Sequence, residues 1–303
     1  MNIAINGFGR IGRQAFKILV DKYPHEAQVL AVNDLTSPEI LAYLLKYDTV
    51  YGIWDHAVSF DEDEIIVDGK HIKVLKEKDP ALLPWKDMQI DVVIESTGLF
   101  TNAEGMQKHL TAGAQKVILS APAKGEGVPT YVLGVNGQNY NHEQLINNAS
   151  CTTNCITPIV EVMQRNFGIE KVMMTTIHSY TATQALQDGP RGKDKREMRA
   201  AAENIVPTTT GAAIATTQVL PELKGLFDGL SIRVPTPVVS LSDFVFLLKR
   251  TVTIEEVNNA IKQASQEDRY KGILSYTEEE LVSSDFIGNP LLLYRRPQAH
   301  QSH

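Results

Sequence analysis

The sequence predicts an α/β protein of two domains: a doubly wound, mostly parallel sheet, then an α+β domain with a largely antiparallel or mixed sheet. Three observations predict it. A Gly7-x-Gly9-x-x-Gly12 run lies between an apolar strand and an amphipathic helix; strands and helices alternate as far as residue 150; beyond Ser150 the strands lengthen and the alternation ends. Domains spanning 1–150 and 151–303 also suit a chain of 303 residues, at roughly 150 residues each.

Taken in order, Asn2 to Asn6 reads as a short buried strand. Arg10 to Lys22 reads as a helix with Ile11, Ala15, Ile18 and Leu19 on one face. Val29 to Asn33 is a second strand, ending at Asp34. Ser37 to Lys46 is a helix, with Ser37 as its cap and Pro38 in its first turn. Ala57 to Val67 and His71 to Leu75 form a two-stranded excursion turned by Asp68-Gly69. Asp91 to Glu95 is a strand, Asn102 to Ala112 a helix and Lys116 to Ser120 a further strand. In the second domain Cys151 to Phe167 is a helix that Pro158 should strain or kink. Lys171 to Tyr180 is strand-like. Thr181 to Arg199 is polar, rich in Gly, Asp, Lys and Arg, and too long for a mere connector, so it reads as a functional loop. Ser231 to Val234 and Val238 to Leu248 are strands, and Ile254 to Gln266 is a helix.

Composition narrows the function classes. A hydrophobic content of 43% with 21% charged residues is ordinary for a globular chain with a sizeable core. A net charge of -7 and a pI near 5.6 argue against a broad nucleic-acid surface, while leaving room for a local cationic pocket. No apolar run reaches the roughly 18 residues of a membrane span. No leader pattern opens the chain, so the expected location is cytoplasmic. The two cysteines, Cys151 and Cys155, cannot build a disulfide framework or a four-ligand zinc site, and no metal is expected.

The glycine run gains meaning from its setting. Gly7, Gly9 and Gly12 follow a strand and open a helix, where glycines allow a tight turn and close backbone approach to a pyrophosphate at the helix N-terminus. Asp34 follows Gly12 by 22 residues at the end of the next strand, as required of a carboxylate that accepts the adenosine ribose hydroxyls. It would repel a 2′-phosphate, which favours NAD over NADP. The domain therefore reads as Rossmann-type, against the blander possibility of a glycine-rich turn with a surface Asp.

Ser150 and Cys151 stand at the start of an apolar-periodic helix, where exposed N–H groups and the positive dipole end favour thiolate over thiol. Cys155, one turn further in, reads as a core residue. His178 lies 27 residues beyond Cys151 at the end of a strand, so a strand running back beside the helix would pair nucleophile and base. Spacing alone leaves His178 open to a structural role. Ser150, Thr152, Thr181, Thr208, Thr209, Thr210 and Gly211 offer hydroxyls and N–H groups, and Arg196, Arg199 and Arg233 offer guanidinium forks suited to phosphate.

At this point the chain resembles the phosphorylating glyceraldehyde-3-phosphate dehydrogenase family. The matches are Asn6-Gly-Phe-Gly-Arg-Ile-Gly-Arg13, Ala31-Val-Asn-Asp34, Glu95-Ser-Thr-Gly98, Ser120-Ala-Pro-Ala123, Ala149-Ser-Cys-Thr-Thr-Asn-Cys155, Pro207-Thr-Thr-Thr-Gly-Ala-Ala213 and Arg233-Val-Pro-Thr-Pro237. The resemblance implies that Cys151 forms a hemithioacetal with the aldehyde, that His178 is the base, and that inorganic phosphate attacks the resulting thioester. It implies NAD contacts from Arg10, Ile11, Asp34, Lys78 and Ser120, with Ser96, Thr97 and Gly98 close to the cofactor. Ser150, Thr152, Thr210, Gly211 and Arg196 resemble the site of the attacking phosphate, and Thr181 and Arg233 that of the substrate's own phosphate. The 181–199 segment resembles the family's S-shaped loop, which lines a neighbouring subunit's cofactor pocket and implies a homotetramer. It carries Asp188-Gly189-Pro190 where many bacterial members have Leu-Pro, so cofactor preference is better read from Asp34.

Beyond Pro290 the resemblance is lost. The family would continue through a strand bearing an Asn for the nicotinamide amide and then a C-terminal helix, and residues 291–303 match neither. The expectation is a shifted reading frame or truncation, with weakened NAD retention and poor solubility. Two other readings of the sequence are a dehydrogenase for erythrose 4-phosphate and a weakly active or non-catalytic NAD-binding homologue.

Overall fold

A computed structural model describes residues 1–192 and 194–295. The chain divides into two units, one of residues 1–131 and 140–150, the other of residues 132–139 and 151 onward.

The first unit is built from β1 (Asn2–Asn6), α1 (Arg10–Lys22), β2 (Gln28–Asn33), α2 (Pro38–Lys46), a short hairpin of β3 (Tyr47–Asp48) and β4 (Gly52–Ile53), then β5 (Val58–Phe60), β6 (Glu64–Val67), β7 (Lys70–Leu75), β8 (Val92–Glu95), α3 (Ala103–Thr111), β9 (Lys116–Leu119) and β10 (Leu145–Asn147). Its main sheet runs β10-β9-β8-β1-β2-β7-β6-β5. From β10 to β7 every neighbouring pair is parallel, and β6 and β5 add an antiparallel edge. Alternation along β1 sends Ile3 and Ile5 to one face, with Phe16 of α1 and Leu41 and Leu45 of α2. Ala4 goes to the other face, with Trp85, Val93 and Met106 of α3. Both faces are covered, which is the doubly wound arrangement the sequence predicts.

The first glycine turn explains itself sterically. Gly7 has φ +89°, and a Cβ there would lie 2.7 Å from the Thr97 backbone nitrogen. A Cβ on Gly12 would lie 2.2 Å from the Gly7 carbonyl oxygen, so α1 can pack this closely on β1 only without one. At Asp68-Gly69 both residues have positive φ, 49° and 78°, the conformation of a tight hairpin turn. The predicted strand from Ala57 to Val67 is instead two strands that pair with each other, so the excursion has three strands rather than two. Ser37 occupies the N-cap position of α2 without a side-chain cap bond.

The second unit comprises α4 (Cys151–Phe167), β11 (Ile169–Ser179), β12 (Val206–Thr209), α5 (Ala212–Val219), β13 (Phe227–Val234), β14 (Ser240–Leu248), α6 (Ile254–Ala264), β15 (Leu274–Thr277) and β16 (Leu292–Arg295). A four-stranded sheet runs β12-β13-β11-β14, with β11 parallel to β13 and antiparallel to β14. This is the mixed sheet expected. Its inner face carries Val172 and Met174, packed with Ile156, Val160 and Met163 of α4 and with Ile261 of α6. α4 runs through Pro158 without interruption, and there the Thr157 hydroxyl donates to the Thr153 carbonyl at 2.7 Å. Among its described residues the Thr181 to Arg199 segment holds a 3-10 turn, Lys195–Met198. Residues 292–295 pair in parallel with 274–277. The remainder of the expectation about the chain's end falls on residues 296–303, outside the described residues.

Replacing Gly12 by Ala should cost about 2 kcal/mol of folding stability through overpacking. Urea unfolding measures it, and an unchanged midpoint would mean that the turn relaxes freely.

Candidate active site

In the first unit, strand order reverses at β1, and in such sheets ligands bind outside the carboxyl ends of the strands at that point. The predicted nucleotide residues cluster at that edge. Gly9 is the N-cap of α1, and a Cβ there would meet nothing within 4 Å, so the backbone faces open space. The first turn of α1 holds no acidic residue, which suits a pyrophosphate. Asp34 directly follows β2 and is half-buried, and its carboxylate accepts the Phe8 N–H at 2.9 Å and the Thr36 N–H at 3.0 Å. Arg10 pairs with Asp48 at 2.7 Å, while Ile11 projects, 58% exposed. The Ser96 hydroxyl donates to the Gly7 carbonyl at 2.7 Å, linking the two turns, and exposed Gly98 follows Thr97 at φ 74°. Ser120 donates through both N–H and hydroxyl to the Glu95 carbonyl, at 2.9 and 3.1 Å. Lys78 lies exposed on the loop after β7, at the same edge. An open cradle at Gly9, a helix start free of acids and a carboxylate at Asp34 fit an NAD-type dinucleotide.

The second unit joins sulfur and imidazole. Cys151 is the first residue of α4 and is exposed, with Sγ 3.4 Å from His178 Nε2 and 3.9 Å from the Thr152 hydroxyl. His178 stands on the inner face of β11, in register with Arg233 on β13. Partial burial pushes the Cys151 thiol up, but the hydrogen bond and charge of His178, with Thr152, outweigh it and hold the thiol below its ordinary value. Cys155 contrasts: burial, reinforced by the charge of Cys151, pushes its thiol up to about 11. One cysteine is primed and its neighbour is inert.

Nδ1 of His178 faces the Ser179 carbonyl at 2.8 Å, Arg233 Nη1 at 2.6 Å and, further off, the Ser179 hydroxyl at 3.4 Å. A carbonyl only accepts and a guanidinium only donates. Protonated, Nδ1 serves Ser179; unprotonated, it serves Arg233, which also donates to the Ser179 carbonyl at 2.9 Å. Arg233 Nε is buried without a partner, and burial lowers the basicity of the guanidinium. An anion arriving here would meet an unsatisfied donor.

The other predicted anion residues make the following local contacts. Thr152 is buried and Ser150, just before Cys151, half-buried. The Thr210 hydroxyl accepts the Ala212 N–H at 3.2 Å, and Gly211 is the exposed N-cap of α5. The Thr181 hydroxyl bonds that of Thr183 at 2.9 Å. Arg196 is engaged by Asp194, with Nε to Oδ1 at 3.0 Å, and this side-chain bond raises its basicity further. Sequence reasoning did not single out the Ser179 carbonyl, because backbone acceptors leave no trace in residue type.

Comparison with known proteins now bears on the site. Residues 1–103 match the family model described as glyceraldehyde 3-phosphate dehydrogenase, NAD binding domain, and residues 150–296 match the C-terminal domain of the same family. The chain belongs to the glyceraldehyde-3-phosphate dehydrogenase family. It is 52% identical over 292 residues to glyceraldehyde-3-phosphate dehydrogenase of Streptomyces coelicolor, covering 96% of this chain and 86% of that one. It is 53% identical over 292 residues to glyceraldehyde-3-phosphate dehydrogenase 1 of Bacillus subtilis, with 95% and 85% covered. The protein of the same name from Borreliella burgdorferi is 50% identical over 296 residues, with 95% and 87% covered. The family's NAD binding domain agrees with the cofactor read from Asp34.

Alkylation by iodoacetamide should modify Cys151 at least about a hundredfold faster than Cys155 at neutral pH. Its rate should reach half-maximum below the ordinary thiol value of about 8.5. Peptide mass spectrometry across a pH series reads both, and His178→Asn should move the midpoint upward.

Proposed function

We propose that this chain oxidises glyceraldehyde 3-phosphate with NAD and inorganic phosphate, through a thioester on Cys151, to an acyl phosphate. One observation carries the reading: the sulfur at the start of α4, 3.4 Å from an imidazole, within a chain of this family. The Cys151 thiolate adds to the aldehyde carbon, and the oxygen takes up a proton to give a hemithioacetal. NAD, when bound, supplies the hydride acceptor. His178 Nε2 removes the hydroxyl proton as the hydride leaves, which turns a poor hydride donor into an alkoxide-like one. The product is a thioester, activated towards phosphate in a way that an oxygen ester is not. Phosphate then attacks the acyl carbon, and the thiolate departs.

Arg233 and Thr181 hold the substrate's own phosphate in this reading. Drawing Arg233 towards a phosphate withdraws it from His178 Nδ1, which is then free to carry a proton and donate to Ser179 as the base does its work. Ser150, Thr152, Thr210 and Gly211 hold the attacking phosphate, and Arg196 joins them by exchanging Asp194 for it. Two unpaired cysteines accord with a reducing, cytoplasmic setting.

The outer face of the second unit's sheet supports a homotetramer. Met173, Leu241, Val245 and Leu247 lie there with 53–68% exposure. So large an apolar face calls for a partner.

NADH formation from glyceraldehyde 3-phosphate tests the reading. Turnover should require phosphate and fall at least about a thousandfold in Cys151→Ser, and by roughly a hundredfold or more in His178→Asn. Erythrose 4-phosphate should give a lower kcat/KM, and equal or higher turnover with it would reassign the substrate. Light scattering should give a tetramer mass, and Val245→Glu with Leu247→Glu should reduce that mass.

A further inference from the structure

The turn between β1 and α1 carries two peptide groups in succession, Gly7–Phe8 and Phe8–Gly9, and they are held differently. The first is gripped at both ends: the Ser96 hydroxyl donates to the Gly7 carbonyl at 2.7 Å, and the Phe8 N–H donates to Asp34 at 2.9 Å. The second is gripped at its carbonyl, where Arg13 Nη1 donates to the Phe8 oxygen at 2.9 Å. Its other end is the N–H of Gly9, an exposed residue on which a Cβ would meet nothing within 4 Å. A trans peptide is planar and points its C=O and N–H in opposite directions. A Phe8 carbonyl drawn inward to a buried guanidinium therefore sends the Gly9 N–H outward.

Arg13 is a costly residue to keep in that place. It belongs to the first turn of α1, yet it is only 9% exposed, and its Nε is buried without a partner. Burial and the nearby charge of Arg10 both oppose the cation, while Asp48 and Asp34 favour it. A guanidinium stays charged in a protein and offers donors alone, so the sense of its bond to Phe8 is not in doubt. An apolar side chain of similar length would fill the same space without an unmatched donor. What an apolar side chain lacks is a grip on the Phe8 carbonyl. On the outward side, the Gly9 N–H stands beside a helix start whose first turn holds no acidic residue. That arrangement suits an anionic oxygen.

We propose that Arg13 is a positioning residue of the dinucleotide site: from the buried side it fixes the Phe8–Gly9 peptide so that the Gly9 N–H donates to a pyrophosphate oxygen. This rests on the nucleotide reading of the first unit. Asp34 and Ser96 set the first peptide of the turn, and Arg13 sets the second. Arg13 acts through the backbone rather than on the ligand, so its loss falls on ligands that carry a pyrophosphate and spares adenosine.

Titrations of NAD, ADP-ribose and adenosine against wild type, Arg13→Met and Arg13→Lys test this. Met fills the space of the stem and donates nothing. Arg13→Met should weaken NAD and ADP-ribose about tenfold and leave adenosine within about twofold of wild type. Lys restores a donor for the Phe8 carbonyl, and Arg13→Lys should bind all three ligands within about threefold of wild type. In turnover, Arg13→Met should raise the KM for NAD about tenfold with kcat within about twofold, the pattern of lost ground-state binding. Equal weakening of all three ligands, unchanged ADP-ribose affinity in Arg13→Met, or no recovery in Arg13→Lys would overturn the proposal and leave Arg13 a structural residue. Should Arg13→Met not fold, the Gly9 amide signal in NMR spectra of wild type and Arg13→Lys decides. ADP-ribose should shift it in both proteins and adenosine in neither, and a signal unmoved by ADP-ribose would overturn the proposal. Wild-type protein that bound neither NAD nor ADP-ribose would instead defeat the nucleotide reading itself.

Discussion

The second unit is organised around the packing of one helix start against one strand face. α4 begins at Cys151, and the inner face of β11 carries Val172, Met174, Thr176 and His178 by simple alternation. The apolar members of that face bury against Ile156, Val160 and Met163, which sets the helix over the strand. Because the packing is dense and the sulfur is on the first helical residue, His178 at the far end of the strand arrives 3.4 Å away. A shift of one residue in β11 would turn the imidazole to the opposite face. The core therefore holds the chemistry in place, and the hydrogen bonds refine it.

The same helix shows why position outweighs residue type. Cys151 and Cys155 are one turn apart, yet burial with an unfavourable neighbouring charge raises one thiol, and an imidazole with the Thr152 hydrogen bonds lowers the other. Neither sign follows from the residue itself. Arg233 works by the same logic: its place opposite His178 in the β11–β13 register puts a permanent cation against Nδ1. Any anion that competes for that cation alters what the ring can donate or accept.

What could be read without the structure divides along these lines. The Gly7-x-Gly9-x-x-Gly12 turn, Asp34 and Asp68-Gly69 are local, so steric demands within a few residues leave a visible pattern. β12 went unpredicted because Pro207 interrupts an edge strand. α5 went unpredicted because its buried face mixes alanines with Thr216 while its outward face carries Ile214, so hydropathy marks no apolar stripe. Arg196 looked like a free anion ligand, whereas Asp194, two residues earlier, already engages it. The row of hydrogen-bonded side chains Asn33, Asn6 and Glu95, at the ends of β2, β1 and β8, was beyond reach for a different reason. Its meaning lies in the register of three strands drawn from widely separated parts of the chain.

That row also shows how groups that can only donate fix the sense of a buried network. The Glu77 backbone N–H meets Asn33 Oδ1 at 2.9 Å, and the Trp85 indole N–H lies 3.0 Å from His109 Nδ1. Asn33 Nδ2 therefore faces Asn6 Oδ1 at 2.7 Å, Asn6 Nδ2 faces Glu95 Oε2 at 2.6 Å, and His109 turns Nε2 to the same oxygen at 3.0 Å. Exchanging nitrogen and oxygen on either amide would set donor against donor, so each side chain has one orientation. The ends of three strands are thereby tied to α3 at the edge where the glycine turn and the Thr97–Gly98 turn meet, and the rigidity of that edge comes from polar direction as well as from packing.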